Sequence, residues 1–253
     1  MGWHDMRSLK RIPAALLLAV LLLALCGFGP ATAAEPTGEG FVIPELTDLP
    51  QVDLSDTLFL LANSYNNMGF EYTMPEYSEL YGQGISPLIR DEVLAMMSAA
   101  KADGVTLYIG VAYRNWEYNT TYYNSAVERY GAEEACFHFQ PPGCNEHQTG
   151  LAIDVTENMY NNCNYHPYDD SSVYESPVYD WMMAHCAEYG FIYRYPAGKE
   201  AWYGAPCTHF HFRYVGHEAA AYIMEHDLCL EEFMYLIDPH SLYVPGLNSY
   251  ASF

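Results

Sequence analysis

The chain has 253 residues, 51% of them hydrophobic and 17% charged, which is enough apolar material for a well-buried core and too much for a disordered chain. Ten Lys and Arg stand against 32 Asp and Glu, a formal charge of −22 at pH 7. So acidic a chain lacks the basic surface that holds nucleic acid or anionic lipid, and neither is an expected partner.

In chain order, Arg7, Lys10 and Arg11 precede an uncharged apolar run from Ala14 to Leu25, and small residues follow at Ala31-Thr32-Ala33-Ala34. Residues 1–34 therefore read as an export signal peptide cleaved after Ala33 or Ala34, which places the mature chain outside the cytoplasm, secreted or in the cell envelope. The alternative is a retained membrane anchor, since the uncharged stretch from Ile12 to Ala34 is long enough to span a bilayer; no later segment is. Residues 35–54 carry Pro, Gly, Thr and Glu without periodicity and read as a linker, leaving 55–253 as the folded domain. Cleavage leaves six cysteines: Cys136, Cys144, Cys163, Cys186, Cys207 and Cys229. An even number in an exported chain predicts disulfides, and proximity across Pro141-Pro142-Gly143 suggests only the pair Cys136–Cys144. A structural zinc held among Cys136, His138, Cys144, Cys163 and His166 is the alternative, without a C-x-x-C spacing to support it.

Ser86-Pro87 opens a helix with a cap residue and a proline at the first position, and Gly104 ends it. Val105 to Ala112 reads as a strand, Asn119 to Tyr130 as a helix and Leu151 to Val155 as a short buried strand. Ser176-Pro177 repeats the helix start, with Trp181, Met182, Cys186 and Tyr189 at helical spacing before Gly190. Phe191 to Tyr195 and Phe210 to Val215 are strand candidates, and Ala219 to Met224 begins a closing helix. Without a regular βαβ cadence, this order predicts an α+β fold: a small, mainly antiparallel sheet flanked by helices. Tyr118, Tyr122 and Tyr123 read either as a carbohydrate-stacking surface or as the rim of a helix. Nothing in the sequence sets the oligomeric state.

Two stretches carry chemistry. His147 and Asp154 lie seven apart, with the carboxylate inside an apolar strand, where an ionised group needs a partner or a metal. His209-Phe210-His211-Phe212-Arg213-Tyr214 alternates polar and aromatic residues, which in a strand puts His209, His211 and Arg213 on one face and the aromatics on the core side. Taken apart, these are a hydrogen-bonded Asp and surface histidines. Taken together, two imidazoles and a carboxylate make a three-ligand zinc site with one position open, as catalytic zinc requires.

The motifs Ala99-Ala100-Lys101-Ala102-Asp103-Gly104-Val105, Tyr113-Arg114, Glu146-His147-Gln148-Thr149-Gly150-Leu151-Ala152-Ile153-Asp154, Tyr189-Gly190-Phe191-Ile192-Tyr193-Arg194-Tyr195-Pro196, Gly198-Lys199-Glu200 and His211-Phe212-Arg213-Tyr214-Val215-Gly216 occur in order. In them the chain resembles the zinc D-alanyl-D-alanine carboxypeptidases of the VanY type, which trim peptidoglycan stem peptides. More distantly it is similar to the superfamily these form with the hedgehog signalling domain. The resemblance implies that residues 55–253 are a zinc D,D-carboxypeptidase-like domain with a C-terminal extension, and that His147, Asp154 and His211 hold Zn2+. It also implies that Arg114 receives the terminal carboxylate of the stem peptide, with Asn145 and Gln148 beside the substrate. A guanidinium fork suits a carboxylate, and few basic residues are available for that task.

The chain departs from the family pattern at Asn145, which replaces Ser, and at Asn115 and Asn119, which replace Ser and Gln. It also writes Thr208-His209-Phe210-His211 where the family writes Glu-Pro-Trp-His with Glu as general base. Thr208 cannot take a proton at neutral pH. His209, two residues before a ligand and with an ordinary pKa near 6.5, is the expected base, as in superfamily branches with a His-x-His motif. The expected activity is hydrolysis of the D-Ala-D-Ala end of stem peptides. The alternatives are an endopeptidase of the same superfamily and a zinc module that binds cell wall or a protein partner without cutting it.

Overall fold

The computed structural model describes residues 41–69, 72–157 and 176–247. The chain divides into two units, Met1–Thr32 and Ala33–Phe253, and all described residues belong to the second. The expected signal peptide lies outside the described residues, as do Cys163 and His166. No helix among the described residues is long and apolar enough to cross a membrane.

A 3-10 turn at Thr57–Phe59 leads to β1 (Ser78–Leu80), β2 (Gln83–Ile85), α1 (Pro87–Ala102), β3 (Tyr108–Val111), α2 (Trp116–Tyr130) and α3 (Ala132–His138). A 3-10 turn at Glu146–Thr149 then enters β4 (Ala152–Thr156), and α4 (Pro177–His185) runs through another at Cys186–Tyr189 into β5 (Phe191–Tyr195). The chain ends in α5 (Glu200–Tyr203), β6 (Thr208–Tyr214), α6 (His217–Glu225) and α7 (Leu230–Ile237). The α+β expectation holds. Both Ser-Pro starts work as read: the side chains of Ser86 and Ser176 accept from the N–H groups of Leu88 and Val178, and proline takes the first helical position. Asn115 caps α2 by accepting from Tyr118 N, so that helix begins three residues earlier than the sequence suggested.

The main sheet is antiparallel throughout, in the order β3-β4-β6-β5. Ile153, Val155, Phe191, Tyr193, Phe212 and Tyr214 face one core with Ile89, Val93 and Met96 of α1 and Trp181 and Met182 of α4. Ile192 and Tyr195 join a second core with Phe59, Ala219, Ala220 and Ile223 of α6, and Leu230, Phe233 and Met234 of α7. Asp154 of β4 and His211 and Arg213 of β6 are buried polar positions on the two middle strands.

The disulfide expectation is not met among the described residues. Cys136, Cys144, Cys186, Cys207 and Cys229 are thiols. Cys136 and Cys144 are engaged locally instead: Cys136 Sγ lies 3.4 Å from Glu133 O within α3, and the buried Cys144 Sγ accepts from Asn67 Nδ2 at 3.3 Å. Burial lifts the Cys144 thiol to about 11.

Candidate metal centre

The first candidate ligand, His147, sits on a short, tightly pinned turn. Asn145 Oδ1 accepts from His147 N at 3.0 Å, and Gly150 ends the turn at φ 72°. A Cβ at Gly150 would lie 2.0 Å from Met74 Sδ, so the left-handed turn and the close contact both require glycine. The other two candidates are direct cross-strand partners, Asp154 on β4 opposite His211 on β6. The ligating atoms of His147, Asp154 and His211 all fall within 4.8 Å of one another, and all three residues are buried. His147 Nε2 is 3.1 Å from Asp154 Oδ2, His211 Nδ1 is 2.8 Å from Asp154 Oδ1, and the imidazoles meet edge to face with centroids 4.8 Å apart.

The electrostatics suit a cation. Burial pushes the Asp154 carboxyl up, but the two imidazoles outweigh it and hold the pKa well below the usual carboxylate range. Burial lowers the pKa of His147, keeping it in the neutral form that ligates. For His211 burial also pulls down, yet the carboxylates of Asp154 and Glu146 prevail and raise it. A carboxylate with two imidazoles is a donor set of catalytic zinc, so the residues present fit that metal.

Glu146, which sequence reasoning passed over, supports this cluster. It is fully buried, and its Oε1 accepts from Arg194 Nε and Arg213 Nη1, both at 2.8 Å. Its Oε2 lies 3.4 Å from His211 Nε2, so Nδ1, which faces Asp154, is the atom of that ring that would hold a metal. Burial pushes Glu146 up, but the two guanidiniums outweigh it and keep it ionised. Arg213 was legible as a polar residue on the His211 face; that its partner would be Glu146 was not.

Of the expected substrate residues, Arg114 adjoins the cluster, since its backbone N donates to His147 O at 3.1 Å. Its guanidinium lies among the rings of Phe139, Tyr118 and Tyr122, 5.1, 5.6 and 5.9 Å from their centroids, and makes no salt bridge among the described residues. Asn145 is spent in part on the turn. Both ends of the Gln148 amide are engaged locally: Oε1 accepts from Gly143 N at 3.2 Å and Nε2 donates to Tyr72 O at 3.1 Å, so the side chain holds the loop rather than facing a ligand.

His209 stands elsewhere than its expected face. Tyr193 pairs with Phe212 but Tyr195 pairs with Thr208, so three residues of β6 oppose the single Arg194 of β5. The irregularity breaks the two-residue alternation. His209 Nδ1 is 2.9 Å from Tyr193 Oη, its Nε2 is 3.3 Å from Cys207 Sγ, and its ring meets those of Tyr179 and Tyr193 at the margin of the first core. Burial lowers its pKa to about 4. As placed, its ring is not part of the three-ligand group.

Comparison with known proteins gives the family. The profile of the VanY family, described as D-alanyl-D-alanine carboxypeptidase, matches residues 83–217. The chain belongs to the VanY family. It is 29% identical over 221 residues to a D-alanyl-D-alanine carboxypeptidase of Enterococcus faecalis (strain ATCC 700802 / V583), covering 81% of this chain and 78% of the relative. A VanY D,D-pentapeptidase variant from the VanB-type resistance cassette, solved in complex with Zn(II), superposes with a TM-score of 0.59 at 29% identity, over 70% of this chain and 98% of that one. VanYB in complex with D-alanine-D-alanine gives 0.58 at 30% identity, over 70% and 97%. The LdcB LD-carboxypeptidase gives 0.59 at 25% identity, over 74% and 92%. Zinc is the metal of VanY-type metallopeptidases, the enzyme class to which this chain is assigned.

Proposed function

We propose that this chain removes the terminal residue of peptidoglycan stem peptides outside the cytoplasm, with D-Ala-D-Ala as the recognised end. The buried convergence of His147, Asp154 and His211 beside Arg114, which has no salt-bridge partner among the described residues, carries this reading. Zinc in such a set polarises a peptide carbonyl and activates water at neutral pH. The chain's own residues do the rest. His147, Asp154 and His211 hold the ion, Glu146 orients the His211 ring, Arg114 takes the terminal carboxylate, and the Asn145 amide nitrogen donates to the substrate. Gln148 acts on substrate only by fixing the loop that carries His147.

A second reading, a zinc module that binds stem peptides without cutting them, is favoured by one observation. Thr208 occupies the position of the family's base, and His209 is held against Tyr193 and Cys207. Zinc-loaded protein incubated with stem pentapeptide and tetrapeptide, followed by mass spectrometry, decides between the readings. Loss of one D-Ala from the pentapeptide supports the D,D-carboxypeptidase. Loss from the tetrapeptide alone shifts the reading to L,D specificity, and internal fragments shift it to an endopeptidase. Binding without any cleavage establishes the module.

A further inference from the structure

The residues that complete the buried charge cluster come from outside the matched region 83–217. Glu231, in the first turn of α7, is fully buried and takes both terminal nitrogens of Arg194: Nη1 donates to Oε2 at 2.9 Å and Nη2 to Oε1 at 2.5 Å. Asn63, from ahead of the matched region, donates Nδ2 to Glu231 Oε1 at 2.7 Å. Arg194 Nε in turn holds Glu146 Oε1, and Glu146 Oε2 faces His211. Arg194 and Arg213 set against Glu146 alone would leave a net positive charge buried one side chain away from a metal ligand. Glu231 cancels it.

We propose that Glu231 is a positioning residue of the metal centre: through Arg194 it fixes the Glu146 carboxylate that orients His211, and it removes a positive charge that would oppose a divalent cation. The segments flanking the family domain thus set how tightly the site holds its metal. This rests on His147, Asp154 and His211 being the zinc ligands. Fully desolvated charges act strongly on one another, and a partner that touches a ligand commonly changes metal affinity by about 10- to 100-fold. Glu231 acts through Arg194 and Glu146, where couplings of about 0.5–2 kcal/mol, or about 3- to 30-fold, are typical.

The test is zinc affinity by competition with a chromophoric chelator, together with the visible spectrum of the cobalt-substituted protein, for wild type, Glu231→Gln and Phe233→Leu. Glu231→Gln keeps the shape and removes the charge. It is expected to weaken zinc binding by about 3- to 30-fold and to change the intensity of the cobalt bands. Phe233→Leu loosens the packing of the same helix and is expected to lower the melting temperature without moving either readout. Should Glu231→Gln not fold, Asn63→Ala removes one hydrogen bond to the carboxylate and is expected to weaken zinc binding by roughly two- to tenfold. Wild-type affinity and spectrum in whichever of the two variants folds overturns the proposal. A Phe233→Leu chain that loses zinc as Glu231→Gln does also overturns it, because the effect is then one of packing. A wild-type chain that binds no zinc removes the ligand assignment and this role with it.

Discussion

Arg114 offers the sharpest test of substrate recognition, because its charge has no carboxylate partner among the described residues while acidic residues outnumber basic ones by about three to one. Three aromatic rings hold the guanidinium through cation–π contact and shield part of it from water. An opposite charge about 4 Å away is worth about 1 kcal/mol in water and about 4 kcal/mol at the effective dielectric of a protein surface. A half-buried guanidinium lies between these limits, so its pairing with a substrate carboxylate comes to about 2–3 kcal/mol, or roughly 30- to 150-fold in kcat/KM. The assay is a double-perturbation cycle: wild type and Arg114→Met, each with stem pentapeptide as the free acid and as the C-terminal amide. Arg114→Met should reduce kcat/KM on the free acid by that factor and leave the amide within about threefold, giving a coupling of about 2–3 kcal/mol. If the chain binds without cutting, the same cycle is read in Kd. A coupling under about 0.5 kcal/mol shows that Arg114 does not meet the carboxylate.

Asp154→Asn should abolish stoichiometric zinc in atomic absorption of dialysed protein, because the two imidazoles then share no anionic ligand; one zinc per chain in that variant removes Asp154 from the ligand set. In metal-free protein, burial lowers the pKa of His209 to about 4 and lowers that of His147 as well, so below pH about 6.5 the unfolded chain binds protons that the folded chain refuses. His211 has the opposite sign: its contribution is present below pH about 6.5 and is lost as pH rises through its raised pKa. Below pH about 6.5 the His211 contribution is complete and only the two lowered groups still act, so the apo melting temperature should fall from pH 6.5 to pH 5, and His209→Gln should flatten the slope; a rise toward pH 5 contradicts the assignment. Phe212→Ala, which empties a fully buried site between β4 and β5, should cost about 3–5 kcal/mol in urea unfolding, and a loss below about 1 kcal/mol speaks against that packing. Differential alkylation should label half-buried Cys207 in the native protein and the buried Cys186 and Cys229 only after unfolding; a Cys136–Cys144 bridge in the peptide map contradicts the thiol state.

The parts of the fold legible in the sequence were those written in local chemistry. Ser86-Pro87 and Ser176-Pro177 carry cap and first-turn proline together, and β5 runs from Phe191 to Tyr195 as its aromatic pattern indicated. Asp154 stood out because a carboxylate in an apolar strand needs an explanation, and its neighbour across the strand is His211. The hairpin of β1 and β2 was missed. Its two-residue turn is Tyr81-Gly82, both at positive φ, and a tyrosine in that conformation carries none of the usual Asn-Gly signal. Glu231 was invisible for another reason: it meets Arg194 across 37 positions of chain, and no spacing rule links α7 to β5.

Along β6 the two-residue alternation holds at Arg213 and His211 and breaks by His209, which bears on catalysis. Ala152 opposite Arg213 and Asp154 opposite His211 are regular pairs, so both side chains share the face that was read for them. Beyond His211 the pairing with β5 slips, and His209 turns toward Tyr193 while the Thr208 hydroxyl is left buried without a partner among the described residues. The family's glutamate therefore has no carboxylate successor on this strand, and the imidazole that resembled a substitute is engaged at both nitrogens. A stem-pentapeptide digest with His209→Ala separates the outcomes. Activity lost with zinc still bound requires the ring to swing from Tyr193 toward the metal during turnover. Activity retained places the proton acceptor outside β6 and ends the case for His209 as base.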